Sequence, residues 1–198
     1  AAGKYISSLY GTKKNIWIGT DEGIYIYAYA TETFTYFDLT TPNNVRITSI
    51  VNHILQDKDG NLWFSTNGQG LFRYNLSKNY LEQYEFTSAF GIVASTMADS
   101  DNQIWALTNQ GESGVYKLNK AENKFEPFGL LYNAGNHHSQ ALAMLEDSEQ
   151  TLWLGTWECG LQKIDKYTRQ TTTYLHPTDG KGVTHIHSLM EYAPHQLL

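Results

Sequence analysis

The chain has 198 residues, with 14 Lys and Arg against 20 Asp and Glu, a net charge of −6, 14% aromatic and 17% charged residues. This length allows one or two domains, and a high aromatic content beside a charged fraction below the roughly 25% of typical soluble domains favours β structure. A mild acidic excess without a basic cluster argues against nucleic-acid binding. The uncharged stretch 87–98 is too short to span a bilayer, and the single cysteine, Cys159, excludes a disulfide within the chain.

A short phrase centred on tryptophan recurs along the chain. The tryptophans of the four phrases are 46, 42 and 48 residues apart (63 − 17, 105 − 63 and 153 − 105). Each phrase follows an apolar segment and precedes a glycine and a second apolar run. The phrases occupy residues 15–20, 61–66, 103–108 and 151–156. A period of about 40–50 residues with several short strands per unit is typical of β-propeller blades.

The second unit shows how each blade is predicted to fold. Its four apolar runs are separated by turn residues, of which Asp57–Gly60 has the chemistry of a hairpin turn. Four antiparallel strands with short connections form one blade. We therefore predict an all-β fold, a single partial β-propeller over residues 1–198 with four four-stranded blades and the start of a fifth. The predicted bounds are 5–37, 48–86, 92–128, 140–175 and 183–198.

The recurring tryptophans are predicted to be structural. A large ring fills the gap between facing blades and presents an N–H that can find a carbonyl. We therefore interpret Trp17, Trp63, Trp105 and Trp153 as core residues. An array interrupted in its fifth unit also predicts exposed apolar sheet faces and, in isolation, self-association.

These phrases resemble the two-component regulator propeller repeat, in which an apolar strand and an Asp precede a glycine turn, Leu-Trp-Ile-Gly-Thr and then Gly-Leu. The second unit matches from Ile54 to Asn75, and the fourth matches at Leu145–Asp147, Trp153–Thr156 and Gly160–Leu161. The first and third units depart from the pattern, with Lys13-Lys14 in the turn and Ala106-Leu107 after the tryptophan.

The resemblance implies the periplasmic sensor of a Bacteroides-type hybrid two-component histidine kinase, which acts through a phosphorelay. It implies an oligosaccharide ligand derived from a polysaccharide, further blades of the same parent chain, and a homodimeric parent. On this interpretation the 198 residues have no enzymatic activity of their own, contact no nucleic acid, and meet the membrane only through the parent.

Two other functions stay open. Propellers that resemble streptogramin lyases, and some glycan-cleaving propellers, have similar blades. Lyase chemistry would need a His/Glu pair and glycosidase chemistry a carboxylate pair. Glu158 with His185 or His187 is the pair to test. A scaffold without a small ligand is the third alternative.

A ligand site is expected where the turns after the second strands meet the links between blades, because both lie on one face. Trp157 lies in such a turn, outside the repeated tryptophan position, and Glu158 follows it. A sugar ring stacks on an aromatic side chain while its hydroxyls need acceptors. Packing of Trp157 against an adjacent loop is the alternative.

Histidines gather late in the chain and supply the remaining candidate ligand-binding residues. His137 and His138 are adjacent, whereas His185 and His187 alternate with Ile186 and so share one face of a strand. That spacing suits a metal or a hydrogen-bonded ligand, but no carboxylate or cysteine completes a recognisable ligand set. The sequence therefore predicts no metal site and no cofactor.

Overall fold

The computed structural model describes residues 4–86, 91–108, 114–130, 140–157, 159–174, 185–194 and 196–198. The described residues form strands and turns without a helix, so the all-β prediction is confirmed. In this part of the chain nothing qualifies as a helix able to cross a membrane.

Among the described residues, sixteen strands form four antiparallel sheets whose strands pair in chain order. The first sheet contains β1 (Ile6–Gly11), β2 (Asn15–Thr20), β3 (Gly23–Ala28) and β4 (Thr33–Tyr36). The second contains β5 (Val51–Gln56), β6 (Leu62–Thr66), β7 (Leu71–Asn75) and β8 (Tyr80–Tyr84). The third contains β9 (Val93–Ala98), β10 (Ile104–Thr108), β11 (Gly114–Asn119) and β12 (Lys124–Leu130). The fourth contains β13 (Ala141–Glu146), β14 (Leu152–Thr156), β15 (Leu161–Ile164) and β16 (Thr171–Tyr174).

The chain divides into two compact units, Ala1–Thr96 and Met97–Leu198. In the first unit, one face of the first sheet packs on the second sheet. Trp17, Ile24 and Phe37 contribute from the first sheet and the segment after it, and Phe64 and Phe72 contribute from the second. Burial of these large side chains provides the main stabilisation of the unit.

The second unit repeats this arrangement. Trp105, Val115 and Phe128 of the third sheet pack against Leu152 and Leu154 of the fourth. The tryptophans of the first three sheets are buried. Trp153 of the fourth sheet is half-buried.

In the fifth unit the sequence predicts a first strand over residues 183–190, the first apolar run of that unit, but residues 186–190 do not form one. Residues 183 and 184 lie outside the described residues, and the strands that the structure shows are β17 (Glu191–Ala193) and β18 (Gln196–Leu197). Glu191 pairs with Leu197 as Glu146 pairs with Leu152 in the fourth sheet. Leu198, which bonds to Met190 through both backbone groups, therefore occupies the tryptophan position. Because β18 is so short, the ladder forms only beside this turn.

In the second, third and fourth sheets the indole N–H bonds to a carboxylate rather than to the carbonyl that the sequence suggested. Trp63 Nε1 donates to Asp57 Oδ2 over 2.8 Å. The corresponding distances are 2.9 Å from Trp105 to Asp99 and 2.6 Å from Trp153 to Asp147. In each case the Asp opens the hairpin six residues before the tryptophan, so both lie at the same end of a strand pair. We call this pairing the Asp–Trp clamp.

Candidate functional site

The turn between the second and third strands is held in the same way in several sheets. Thr66 Oγ1 donates to Gly70 O over 2.6 Å, and Thr156 Oγ1 donates to Gly160 O over 2.7 Å. Gly160 adopts φ +67°, a conformation that glycine tolerates best. The threonine that ends the repeated phrase and the later glycine thus fix the position of the residues between them.

In the first unit such a turn lies beside the segment that links the sheets. Gln69 Oε1 accepts the N–H groups of Thr48 and Ser49 over 2.8 and 2.9 Å, and Gln69 Nε2 donates to Arg46 O over 2.9 Å. Turn and link therefore share one face there, as the connectivity of the blade predicts.

In the second unit the equivalent turn contains Trp157. Its backbone N–H donates to Gln140 O over 2.9 Å, and it forms an isolated antiparallel bridge with His185. The side chain remains 40% exposed. Trp157 is therefore fixed by its backbone while its ring reaches solvent.

The structure brings Trp157 together with His185 and His187. The Trp157 ring centroid lies 3.9 Å from that of His185 and 5.8 Å from that of His187, with interplanar angles of 86° and 85°. The two imidazoles are nearly parallel, at 11°, and 6.5 Å apart. Both histidines are exposed. We call these three residues the Trp–His cluster.

A glycine explains why the histidine segment comes so close. A Cβ on Gly155 would lie 2.6 Å from Ile186 O, nearer than any side chain permits. Ile186 N also donates to Thr156 O over 3.0 Å. The glycine of the Trp-Leu-Gly-Thr phrase therefore lets residues 185–187 run beside β14, which sets the histidines against Trp157.

The cluster offers an aromatic ring for stacking and imidazole nitrogens for hydrogen bonding. Among the described residues, no three His, Cys, Asp or Glu side chains form a group that could hold a metal ion. The other predicted ligand-binding residues, Glu158, His137 and His138, lie outside the described residues.

A buried charge cluster in the second unit was not foreseen from the sequence. Lys166 Nζ donates to Glu146 Oε1 over 2.8 Å and to Asp101 Oδ2 over 3.0 Å, and lies 3.8 Å from Asp99. Burial favours the neutral amine, but the carboxylates outweigh it and raise the pKa of Lys166. Its contacts are within the protein, which indicates a structural role.

Residues 44–68 match the family model for the two component regulator propeller. This segment contains β5 and β6 with the Asp–Trp clamp of the second sheet. Residues 44–68 therefore match the repeat that the sequence phrases resemble. No protein of curated function matches the sequence.

Solved structures show the same fold. The extracellular domain of a protein described as a hybrid two component system of B. thetaiotaomicron aligns with TM-score 0.73 and 18% identity, over 94% of this chain and 24% of that one. A second such domain from the same organism aligns with TM-score 0.68 and 20% identity, over 87% and 25%. Virginiamycin B lyase from Staphylococcus aureus aligns with TM-score 0.67 and 18% identity, over 91% and 58%.

These likenesses identify the fold as a β-propeller, which confirms the predicted fold class. The chain spans about a quarter of the length of the two hybrid-system domains. Sensor and lyase structures resemble it to a similar degree, so the fold by itself does not decide between them.

Proposed function

We propose that this chain belongs to the extracytoplasmic sensor of a hybrid two-component histidine kinase, and that the sensor recognises an oligosaccharide released from a polysaccharide. The match of residues 44–68 to the two component regulator propeller model carries this proposal. Two of the similar structures are extracellular domains of proteins described as hybrid two component systems, which supports a location outside the cytoplasm. We place it in the periplasm, where ligand binding is relayed across the membrane to the kinase.

The Trp–His cluster is the part of the chain best suited to bind a sugar. A pyranose presents an apolar face that packs on an exposed ring, and its hydroxyls bond to polar groups at the ring edge. Trp157 supplies the ring, and His185 and His187 lie beside it and supply imidazole nitrogens. The fixed backbone of Trp157 keeps this surface preorganised, which lowers the entropy cost of binding.

Titration calorimetry on the natural sensor that contains this chain tests the proposal, with a panel of oligosaccharides. We expect saturable binding without turnover. Trp157→Ala should weaken binding about tenfold, or about 1.4 kcal/mol. Tyr167→Ala is the matched control, because Tyr167 is an exposed aromatic residue, 76% accessible, in the turn after β15. Unchanged affinity in Trp157→Ala would remove the cluster from the site, and an absence of binding across the panel would contradict the oligosaccharide ligand.

The similarity to a lyase structure makes an enzyme the competing function, and an assay for product tests it directly. Incubation of the same protein with the oligosaccharides and with a streptogramin, followed by mass spectrometry, detects any product. Product formation that is lost in His185→Ala or His187→Ala would establish an enzyme. Binding of an oligosaccharide that leaves its mass unchanged supports the sensor.

A further inference from the structure

A cleft of about 300 Å³ in the second unit has a basic lining. Phe128 supplies buried apolar surface to it. Its positive charges come from Lys117, Lys120 and Arg169. Glu126 is the one carboxylate among the described residues that line it, so the lining has a net charge of +2 (three minus one) in a chain whose net charge is −6. We call this pocket the basic cleft.

Aromatic rings position two of the three cations. Lys117 Nζ lies 5.1 Å from the ring centroid of Trp105, and Arg169 Cζ lies 5.1 Å from that of Phe128. The two rings meet edge to face, with centroids 4.8 Å apart. A ring attracts a cation through its quadrupole and leaves most of the N–H donors for oxygen acceptors. Both cations are therefore held in place without being neutralised.

The second sheet shows how the same position is neutralised elsewhere in the molecule. Arg73 lies over the tryptophan of its own sheet, as Lys117 does. Register places Arg73 opposite Glu82, and it places Lys117 opposite Glu126. In the second sheet the pair closes, because Arg73 Nη2 donates to Glu82 Oε2 over 2.5 Å. The equivalent pair in the third sheet is expected to do the same.

In the third sheet the carboxylate is turned to other partners. Glu126 Oε1 accepts from Asn119 Nδ2 over 3.0 Å and lies 3.8 Å from Lys124 Nζ. Within the described residues, neither Lys117 nor Arg169 forms an ion pair. These two positive charges thus face the cleft region without a carboxylate of the protein to balance them.

We infer that the basic cleft binds the acidic group of a small organic ligand, a carboxylate or a sulfate carried on a molecule about the size of a monosaccharide. Lys117 and Arg169 donate charge-assisted hydrogen bonds to the oxyanion. The apolar surface of Phe128 packs against the body of the ligand. A volume of about 300 Å³ suits a ligand of that size.

The basic cleft is separate from the Trp–His cluster. Arg169 lies in the turn after β15, whereas Trp157 lies in the turn before it, so the two sites are at opposite ends of that strand. The inference adds a second ligand class and does not depend on the oligosaccharide proposed above.

Titration calorimetry at low ionic strength tests the inference, with the natural protein used for the oligosaccharides. The probes are glucuronate, glucose and inorganic sulfate. Glucose has a hydroxymethyl group where glucuronate has a carboxylate, so we expect saturable binding of glucuronate and none of glucose. Sulfate should bind more weakly than glucuronate, because it lacks a body to cover the apolar surface.

Variants assign this binding to the basic cleft. Lys117→Met keeps the apolar stem and removes the charge, so the affinity for glucuronate should fall about tenfold. Arg169→Gln should weaken binding similarly, and Lys117→Arg should retain it. Lys163→Met is the matched control, because Lys163 lies over Trp153 at the equivalent position of the fourth sheet, outside the cleft. It should leave the affinity unchanged, as should Trp157→Ala.

Four outcomes overturn the inference. Glucose that binds as well as glucuronate, or glucuronate that does not bind, would exclude an acidic ligand. Sulfate that binds as tightly as glucuronate would exclude an organic one. Unchanged affinity in both Lys117→Met and Arg169→Gln would place the acid elsewhere, and a loss in Trp157→Ala alone would place it at the Trp–His cluster. If the oligosaccharides fail to bind while glucuronate binds as expected, the proposed sensor ligand is rejected and the basic cleft is kept.

Discussion

The hairpin between the first two strands is built on Thr12 in the first sheet and on Asp57 in the second. Each residue closes its turn through the backbone, with Thr12 N donating to Asn15 O over 2.8 Å and Asp57 N donating to Asn61 O over 3.0 Å. Each side chain also caps the turn, since Thr12 Oγ1 accepts Asn15 N over 3.0 Å and Asp57 Oδ1 accepts Asn61 N over 2.9 Å.

The two residues differ in whether a side-chain oxygen is left over once the turn is capped. Asp57 has a second oxygen, Oδ2, which accepts the Trp63 indole N–H. A threonine has no second side-chain oxygen, and Trp17 Nε1 is buried without a partner. Trp17 is held by rings instead, with the Phe37, Phe64 and Tyr74 centroids 5.5–5.8 Å away. One aspartate therefore serves both the turn and the core in the second sheet, whereas packing alone fixes the tryptophan of the first.

Removal of Asp57 should give the largest difference in stability between the two hairpins. Asp57→Ala leaves the buried Trp63 N–H and the Asn61 N–H without acceptors, so we expect a loss of about 2–4 kcal/mol in the free energy of unfolding. Thr12→Ala, the matched change in the first sheet, should cost about 1 kcal/mol because only the cap is lost. Urea unfolding measures both, and equal losses would show that the clamp adds nothing to the cap.

Replacement of each of the two tryptophans by phenylalanine separates the contribution of the Asp–Trp clamp from that of ring packing. Trp63→Phe removes the indole donor and leaves Asp57, which is buried, with less compensation for its charge. Trp17→Phe removes a donor that has no partner. Both changes delete the same atoms, so we expect Trp63→Phe to cost more by about 1–3 kcal/mol. If Trp17→Phe is the more destabilising of the two, ring packing rather than the clamp dominates.

The same contrast shows which features were readable in the sequence. The four sheets were predicted because every unit repeats a tryptophan phrase and a later glycine between apolar runs, and tertiary packing did not override this pattern. The Asp–Trp clamp also has a sequence pattern, an Asp six residues before the Trp in three units. The sequence analysis nevertheless expected a carbonyl, and not this carboxylate, to accept the indole N–H. The burial of Lys166 could not be predicted from the sequence, because its carboxylate partners are 20 and 65 residues away in the chain and a lysine in a turn normally faces solvent.

The candidate site was partly readable. Trp157 stood out because it broke the repeat, and the alternation of His185 and His187 placed them on one face. Their contact with Trp157 depends on Gly155 admitting the Ile186 backbone, a tertiary approach that residue spacing alone does not encode.

Transfer of the aspartate turn into the first sheet should give Trp17 the hydrogen bond that Trp63 makes in the second sheet. Replacing residues 12–15 by the sequence of residues 57–61 restores the six-residue spacing and offers Trp17 a carboxylate. We expect a gain of about 1 kcal/mol, seen as a rise of a few degrees in Tm. The same graft carrying Ala in place of its first Asp is the control and should lose the gain. A graft that does not stabilise would show that Trp17 lies out of reach of the turn.

The smallest effect concerns an equivalent pair on the inner strands, Ser8 of the first sheet and His53 of the second. Thr96 N donates to His53 Nδ1 over 3.4 Å, and burial lowers the pKa of His53 from 6.5. The unfolded chain therefore takes up this proton more readily than the folded chain. The stability contribution is complete above pH 6.5 and is lost as the pH falls from 6.5 through the lower native pKa.

His53→Ser gives the second sheet the residue of the first and isolates this titration. The difference in unfolding free energy between wild type and His53→Ser, measured by urea unfolding from about pH 8 to pH 5, should be flat above neutrality and decline below it. One proton limits the slope to about 1.4 kcal/mol per pH unit. Carboxylates titrate in both proteins and cancel in the difference. A difference that grew toward acid would mean that His53 gains a proton-stabilised partner on folding, which would contradict its buried, neutral role.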